Sequence, residues 1–481
     1  MKSLLLPLAL FSTVAGFAAL PSVGPDYQRP TAPAAPAWRD AGEALAWKAG
    51  APADAFARGE WWQLFADATL NDLETRALAA NQDLRAAAAR VDEARAATGV
   101  ARSAYWPQFG ANLSVSREQG SLNVPNGLPD SLATTYRAPL MASWELDLFG
   151  RIRRLNEGAR ATAEASLAAF EAVRLSLTAE VAVSYFSLRA LDQEAALIAD
   201  GVELRQRAMD LVASRRKSGA ATDFDVARAE TELASTQAEA AAIANHRAAL
   251  QNALAVLIGE SAASFQLAAI NAQPSAKTPE VPAGLPSELL ERRPDVAAAE
   301  RALAAANARI GVAKAAFFPA ISLTGFAGYA SGDIDTLFTA DSRAWSIGPS
   351  LYLPIFQGGR NRANLERSKA AYEGSVAVFR QSVLVAFREV QDALTGTRLL
   401  AEQSAAQDRA VEAARRAGSL AQKRYDAGFV NYFEVIDAQR TVLSAERTAA
   451  QLTAQRLNNS VALIKALGGG WTAVPTTVAV R

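Results

Sequence analysis

Apolar and polar residues alternate one by one in a few short stretches of the chain and recur at three- and four-residue spacing almost everywhere else. Phe109, Ala111, Leu113 and Val115 alternate with Gly110, Asn112, Ser114 and Ser116. From Tyr136 to Leu148 the apolar residues again fall on every second position, and Ile321–Thr324 and Trp345–Ile355 do the same further on. Successive strand side chains point to opposite faces, so this period predicts strands at about 108–117, 136–148, 320–330 and 343–355. Each has one apolar and one largely polar face, the signature of an outer-membrane strand, apolar to lipid and polar to a lumen. A half-buried soluble hairpin has the same period. Two hairpins in matched positions with aromatics near the strand ends favour membrane strands. The segments Glu118–Thr135 and Ser331–Ser342 are polar and glycine-bearing, as external loops are.

From Arg151 to about Lys217, and from Asn361 to about Asp426, there is no proline, and alanine, leucine and charged residues keep helical spacing. A helix of that length reaches roughly 100 Å. Gly219 and Gly428 follow these runs and suit the left-handed turn that ends a helix. Thr222 and Asn431 are placed to cap a return helix. Upstream, alanine-rich helices are predicted over about 69–104 and 286–316, each stopped by an aromatic pair and then Pro107 or Pro319.

The two sets of elements are written twice, with a period of about 210 residues. Gly99-Val-Ala-Arg-Ser-Ala-Tyr-Trp-Pro107 returns as Gly311-Val-Ala-Lys-Ala-Ala-Phe-Phe-Pro319, and Asp83-Leu84 as Asp295-Val296. Leu148-Phe149-Gly150-Arg151 returns as Ile355-Phe356, then Gly359-Arg360 after an insertion. Arg215, Gly219, Phe224, Asp225, Val226 and Ala229 match Arg424, Gly428, Phe433, Glu434, Val435 and Ala438. The organisation expected is therefore two equivalent repeats, 69–259 and 286–467, each with a long hairpin (151–259 and 361–467). Around them lie an N-terminal segment 19–68, a linker 260–285 and a tail 468–481.

Two hairpins supply four strands, too few to close a barrel, and open edges are not tolerated in lipid. Several chains must therefore share one barrel. Two copies give an eight-strand barrel filled by side chains, whereas three give a 12-strand barrel wide enough for a pore. The fold expected is a mixed α and β membrane protein, mostly α, with the barrel continued by a long helical tube.

Met1-Lys2 followed by an apolar run from Leu4 to Ala19 reads as a signal peptide, cleaved after Ala18. Beyond it no stretch of about 18 residues lacks charge, so no helical membrane span is expected. There is no cysteine and one histidine, His246, which sits in a polar helical pattern and reads as a surface residue. That excludes disulfides and leaves almost nothing from which to build a Ser-His or metal constellation, so neither enzyme activity nor a cofactor is expected. Gly358-Gly359 lacks the Gly-Lys-Ser/Thr arrangement of a phosphate loop and reads as a strand-to-helix joint. Equal totals of 49 basic and 49 acidic residues give no electrostatic footprint for nucleic acid.

At this point the residues resemble the TolC-like outer-membrane factors, and within them the OprM/NodT branch. The marks are Val23-Gly24-Pro25-Asp26-Tyr27, Trp144-Glu145-Leu146-Asp147-Leu148-Phe149-Gly150, Arg292-Arg293-Pro294-Asp295-Val296, Pro354-Ile355-Phe356-Gln357-Gly358-Gly359, and Tyr425-Asp426-Ala427-Gly428 through Asp437-Ala438-Gln439-Arg440. The resemblance implies a homotrimer in the Gram-negative outer membrane, with a 12-strand barrel and a helical tube in the periplasm. It also implies a mixed belt formed by the segment after Tyr27, the link 260–285 and the tail from Gly468. It implies the exit duct of a tripartite efflux or secretion system, whose tip docks a periplasmic adaptor and through it an inner-membrane pump of RND type. Carried onto this chain, the tip is the pair of turns Ser218–Asp223 and Ala427–Tyr432. Two departures stand out: Pro21 occupies the place where relatives carry a lipidated cysteine, and Phe429-Val430-Asn431 the place of a frequent acidic residue.

The candidate sites follow. Gly219, Thr222, Gly428 and Asn431 would shape the tip and its docking surface. Asp223, Asp225, Asp426 and Glu434 would gate the aperture, since rings of like charge favour cations; as bystanders, they are ordinary helix-terminus charges. Glu145 and Asp147 lie on the polar side of their strand and would line the barrel lumen. The competing functions are a periplasmic adaptor, which would need a lipoyl-like β domain and a single hairpin, and a soluble structural coiled coil. A hydrolase is the most distant reading.

Overall fold

The computed structural model describes residues 22–31, 59–120, 132–270, 279 and 293–469. The expected signal peptide, Pro21, most of the N-terminal segment and of the linker, part of the first external loop, and the tail beyond Gly469 lie outside the described residues.

The chain is mostly helical with one antiparallel sheet, in the order α1 (Ala68–Ala80), α2 (Gln82–Ser103), β1 (Gln108–Ala111), β2 (Ser114–Gln119), β3 (Leu132–Leu146), α3 (Arg151–Lys217) and α4 (Asp223–Leu257). There follow α5 (Pro294–Ala315), β4 (Ala320–Ser331), β5 (Arg343–Tyr352), α6 (Arg360–Asp426) and α7 (Tyr432–Ala466). Among the described residues no helix is long and apolar enough to cross a membrane. The chain divides into two units.

One unit comprises residues up to Thr31, Arg90–Ser166 and Ala298–Phe379 and holds the sheet. Strand order is β1-β3-β4-β5, with β2 also paired to β3. The register places directly opposed residues on one face. Phe109, Ala142, Gly325 and Ile347 line up across the sheet, as do Val115 and Tyr136, and Leu146, Ile321 and Leu351. From the Leu140 row to the Leu146 row that face carries only apolar or small residues, while nearer the loops it also carries Arg117, Gln119, Thr134 and Arg343. The opposite face carries rows such as Ser143–Thr324–Gly348 and Glu145–Ser322–Ser350. The apolar face is uncovered: Trp345, Ile347 and Leu351 are exposed, with Trp345 at 75%.

The same unit anchors residues 22–31 on the helices. The Val23 N–H donates to the Phe149 carbonyl at 3.0 Å, Asn307 donates to the Pro25 carbonyl at 3.0 Å, and Asp26 pairs with Arg154 at 2.7 Å. The Tyr27 hydroxyl donates to Glu300, which also pairs with Arg29 at 3.1 Å. The Val-Gly-Pro-Asp-Tyr motif is thus a strap tied to the helices by backbone and side-chain bonds.

The other unit comprises Ala32–Ala89, Leu167–Ala297 and Arg380–Arg481. Its core gathers Trp61 and Phe65 of a 3-10 turn, Leu70 and Leu73 of α1, Tyr185 and Phe186 of α3, Leu254 at the end of α4, and Val461 and Ile464 of α7. Asp67 caps α1 by accepting from the N–H groups of Thr69 and Leu70, and its other oxygen accepts from the Tyr185 hydroxyl at 2.8 Å. Arg293, buried before Pro294, pairs with Asp295 and Glu389 at 2.6 Å each and donates to the Ala466 carbonyl ending α7.

Three expectations need correction. The single helix expected over 69–104 is broken at Asn81, whose backbone is extended. Its side chain caps α2 by accepting from the Leu84 N–H and donates to the Leu257 carbonyl, so a tertiary contact outweighs the helical pattern. The strand expected over 108–117 is two strands, interrupted after Ala111, and it extends to Gln119. The strand expected to end at Ile355 stops at Tyr352, which pairs with Ala320, the first residue of β4, so the ladder has no partner beyond it.

Glu74 of α1 is fully buried, and neither carboxyl oxygen has a hydrogen-bond partner among the described residues. Burial pushes its pKa from 4.5 up to about 9. The folded state therefore holds a proton that the unfolded chain releases, and stability falls as pH rises between those two values. Glu74→Gln is expected to raise the thermal midpoint at pH 8 and to leave it nearly unchanged at pH 4, measured by circular dichroism in detergent. An equal shift at both pH values would contradict a proton held on Glu74.

Candidate functional site: the helical turns and the strand-to-helix joint

The two long helices end in the same way, for the same local reason. After α3, Gly219 adopts φ +79° and donates to the Arg216 carbonyl, while the Ala220 N–H reaches back to Arg215 at 2.8 Å. After α6, Gly428 adopts φ +77° and donates to Tyr425, while the Phe429 N–H reaches back to Arg424 at 2.9 Å. This pair of bonds satisfies the last free carbonyls of each helix and needs the left-handed conformation that glycine adopts without strain. The return helices are capped as their sequences suggest. The Thr222 hydroxyl accepts from the Asp225 N–H, and the Asp225 carboxylate accepts from the Thr222 N–H at 2.8 Å, a reciprocal capping box. Asn431 accepts from the N–H groups of Phe433 and Glu434.

Each candidate gate carboxylate has a partner within its own turn. Asp223 takes a two-pronged bond from Arg216, at 2.6 and 3.0 Å, and that guanidinium holds its carboxyl below the usual range. Asp225 is also held low, first by the backbone N–H of Thr222 and then by the Thr222 hydroxyl. Asp426 accepts from Gln422 at 2.8 Å, and Glu434 lies 4.0 Å from Arg424. Phe224 and Phe429 are left largely exposed.

Contacts between the two hairpins were not legible in the sequence. Arg447 of α7 reaches Glu239 of α4 at 2.9 Å and buried Glu194 of α3 at 3.4 Å, and Arg440 lies 3.7 Å from Glu232. Arg215 lies over the ring of Tyr425, and Arg228 over that of Phe433 at 4.3 Å. These partners are some two hundred residues apart, so no local spacing announces them.

At the other end of α3, Glu145 belongs to β3 and Asp147 lies just past it. Glu145 holds Arg151 through two bonds of 2.7 Å. Asp147 accepts the Arg153 backbone N–H at 2.8 Å and pairs with its guanidinium. Both carboxylates thus fix the first turn of α3 to the strand. A cavity of about 190 Å³ at this joint is lined by both, with Phe318, Tyr352 and Arg360. Among the described residues no cluster of three or more His, Asp or Glu side chains could hold a metal.

Comparison with known proteins decides what this architecture belongs to. The profile of the family described as outer membrane efflux protein matches residues 73–260 and again 285–469. The chain belongs to that family. It is 36% identical over 451 residues to the outer membrane protein OprJ of Pseudomonas aeruginosa, covering 94% of this chain and 93% of that one. It is 36% identical over 462 residues to the toluene efflux pump outer membrane protein TtgI of Pseudomonas putida, covering 94% and 95%. Among solved structures, the outer-membrane channel OprN superposes with a TM-score of 0.83 at 34% identity, covering 93% of this chain and 99% of that one. The open state of the MtrE channel of Neisseria gonorrhoeae superposes with a TM-score of 0.80 at 33% identity, covering 93% and 98%. The chain is accordingly an outer-membrane efflux channel component, and the adaptor and soluble coiled-coil alternatives fall away.

Replacing Gly219 or Gly428 by alanine forces a side chain into the left-handed region, a cost of about 1–2 kcal/mol. The expected outcome is a local one. Limited proteolysis should cut faster at the altered turn while the thermal midpoint of the whole protein stays within a degree or two. A global loss of stability would show that the turn is coupled to the core.

Proposed function

We propose that three copies of this chain form the exit duct of a tripartite efflux system. Each contributes four strand positions to a 12-strand barrel and two equivalent helical repeats to a tube in the periplasm. The observation that carries this is the sheet: a face that is apolar from the Leu140 row to the Leu146 row and uncovered, and outer strands β1, β2 and β5 that are each paired on one side only among the described residues. Such a sheet is stable in lipid only when further strands close it. Equal helix lengths support the two-repeat organisation: 67 residues in both α3 and α6, and 35 in both α4 and α7.

The turns bearing Gly219, Thr222, Gly428 and Asn431 form the periplasmic tip, which docks an adaptor and through it an inner-membrane transporter of RND type. Cargo passes without chemistry on the chain. Relatives named for toluene and solvent efflux support small organic molecules as the cargo class. Asp223, Asp225, Asp426 and Glu434 would each recur three times around the axis and select for cations. Glu145 and Asp147, on or beside the polar face, line the lumen at its junction with the tube.

The purified mature protein in planar bilayers is expected to give discrete cation-preferring channels, from material whose mass in detergent is that of a trimer. Asp225→Ala with Glu434→Ala is expected to raise conductance or weaken cation preference. Unchanged conductance and selectivity would reduce these carboxylates to caps. A monomer without conductance would overturn the duct itself.

A further inference from the structure

In the sheet-bearing unit four helices stand in a row. α2 joins α3 where Asn156 donates to the Ala101 carbonyl at 2.9 Å and the Thr98 hydroxyl to that of Ala159 at 3.3 Å. α3 meets α5 at Gly158, where an added Cβ would lie 3.5 Å from the Cβ of Ala308. α6 is tied to the end of α5 by Asn361, which donates to the Ala316 carbonyl at 2.8 Å. The order is therefore α2-α3-α5-α6. All four nevertheless line one cavity of about 700 Å³, a volume within the range of small-molecule sites. Helices in a row line a common cavity only when the row curves around it. The strap lies on the other side of the row. Glu300, Asn307 and Gly311 of α5 meet the strap, whereas Arg309, Val312 and Ala313 line the cavity. With 3.6 residues per turn these two sets fall on opposite sides of the helix.

The lining combines room with unbalanced charge. Ala97, Gly158, Ala159 and Ala313 leave a floor of small apolar surface that longer side chains would fill. No aspartate or glutamate is among the lining residues. Arg309 and Arg367 are exposed in the cavity, and neither has a hydrogen-bond or ion-pair partner among the described residues. A third lining guanidinium belongs to Arg154. Its terminal nitrogens are taken by Asp26 and Glu157, and its buried Nε has no acceptor among the described residues. At the nearby joint, by contrast, Arg151 and Arg153 each hold a carboxylate. An apolar floor beside unmatched guanidinium groups suits a molecule with an apolar body and an anionic end. The planar fork of arginine matches the oxygens of a carboxylate or sulfonate.

We propose that this cavity binds organic anions, the apolar body on the floor at Ala97 and Ala313 and the anionic group at Arg309 and Arg367. The inference rests on the duct reading above and deepens it. A row of helices that closes into a tube turns its concave side to the axis, so the cavity lies along the path of the cargo. Organic anions are the class of cargo held there on the way out. A neutral molecule of the same shape gains only the contact with the floor.

The probe is naphthalene-1-sulfonate, titrated calorimetrically into the purified mature protein in non-ionic detergent, with the heat of protein-free micelles subtracted. Saturable binding at one site per chain is expected. Arg309→Gln with Arg367→Gln is expected to weaken it by about tenfold or more, through loss of two charge-assisted contacts. Arg309→Lys with Arg367→Lys should retain most of it. Ala97→Leu, which fills the floor and leaves the charge alone, should weaken binding of the sulfonate and of neutral naphthalene-1-methanol alike. The arginine pair should matter only to the sulfonate. No saturable binding, or binding unchanged by the glutamine pair, in a trimer that conducts would overturn the site and leave the duct standing. The expected binding pattern in a protein that neither assembles nor conducts would uphold the site and overturn the duct.

Discussion

Every residue in a sheet brings one N–H and one C=O that must be paired, and hydrocarbon supplies no substitute partner. The sheet of this chain meets that requirement only between its own strands. β3 and β4 are paired on both sides, while β1, β2 and β5 are paired on one. Its apolar face is uncovered, and its outer strands each keep one edge unpaired among the described residues. The strap at residues 22–31 is tied to α3 and α5, and the carboxylates at the strand-to-helix joint tie the end of β3 to the start of α3.

The joint shows how this is done. Glu145 lies near the end of β3 and Asp147 just past it, and Arg151 and Arg153 lie in the first turn of the helix that follows. Two charge-assisted contacts, at 2.7 and 3.3 Å, tie the ends of the two elements together across a four-residue connection. Asp147 also takes the Arg153 N–H, one of the free donors at the start of α3. A charged pair in the sequence motif is thus a mechanical fixture as well as part of the polar face.

At the other end of the long helices, charge is used up locally. Arg216 with Asp223, and the Thr222–Asp225 box, satisfy groups that a free turn would leave to water. Phe224 and Phe429 are left exposed beside these pairs. The hairpins are held to each other further up by Arg447 with Glu194 and Glu239, and by rings stacked under arginines. Each turn is thus closed by its own bonds, and the links between hairpins are separate interactions.

Local chemistry determined a large part of this protein from the sequence alone. The period of two identified the strands and their apolar face, because pleating forces alternation. The period near 3.6, the missing prolines and Gly219 and Gly428 identified the long helices and their turns, because helix ends have few solutions. Thr222 and Asn431 were legible as caps for the same reason. Tertiary structure decided the rest. Asn81 breaks a helix that its sequence would continue, because its side chain finds the Leu257 carbonyl 176 residues away. Asp225 and Glu145 read as free carboxylates until their partners are in place. Arg447 and Glu194 carry no local signal, because an ion pair between distant segments exists only once the chain has folded to bring them together.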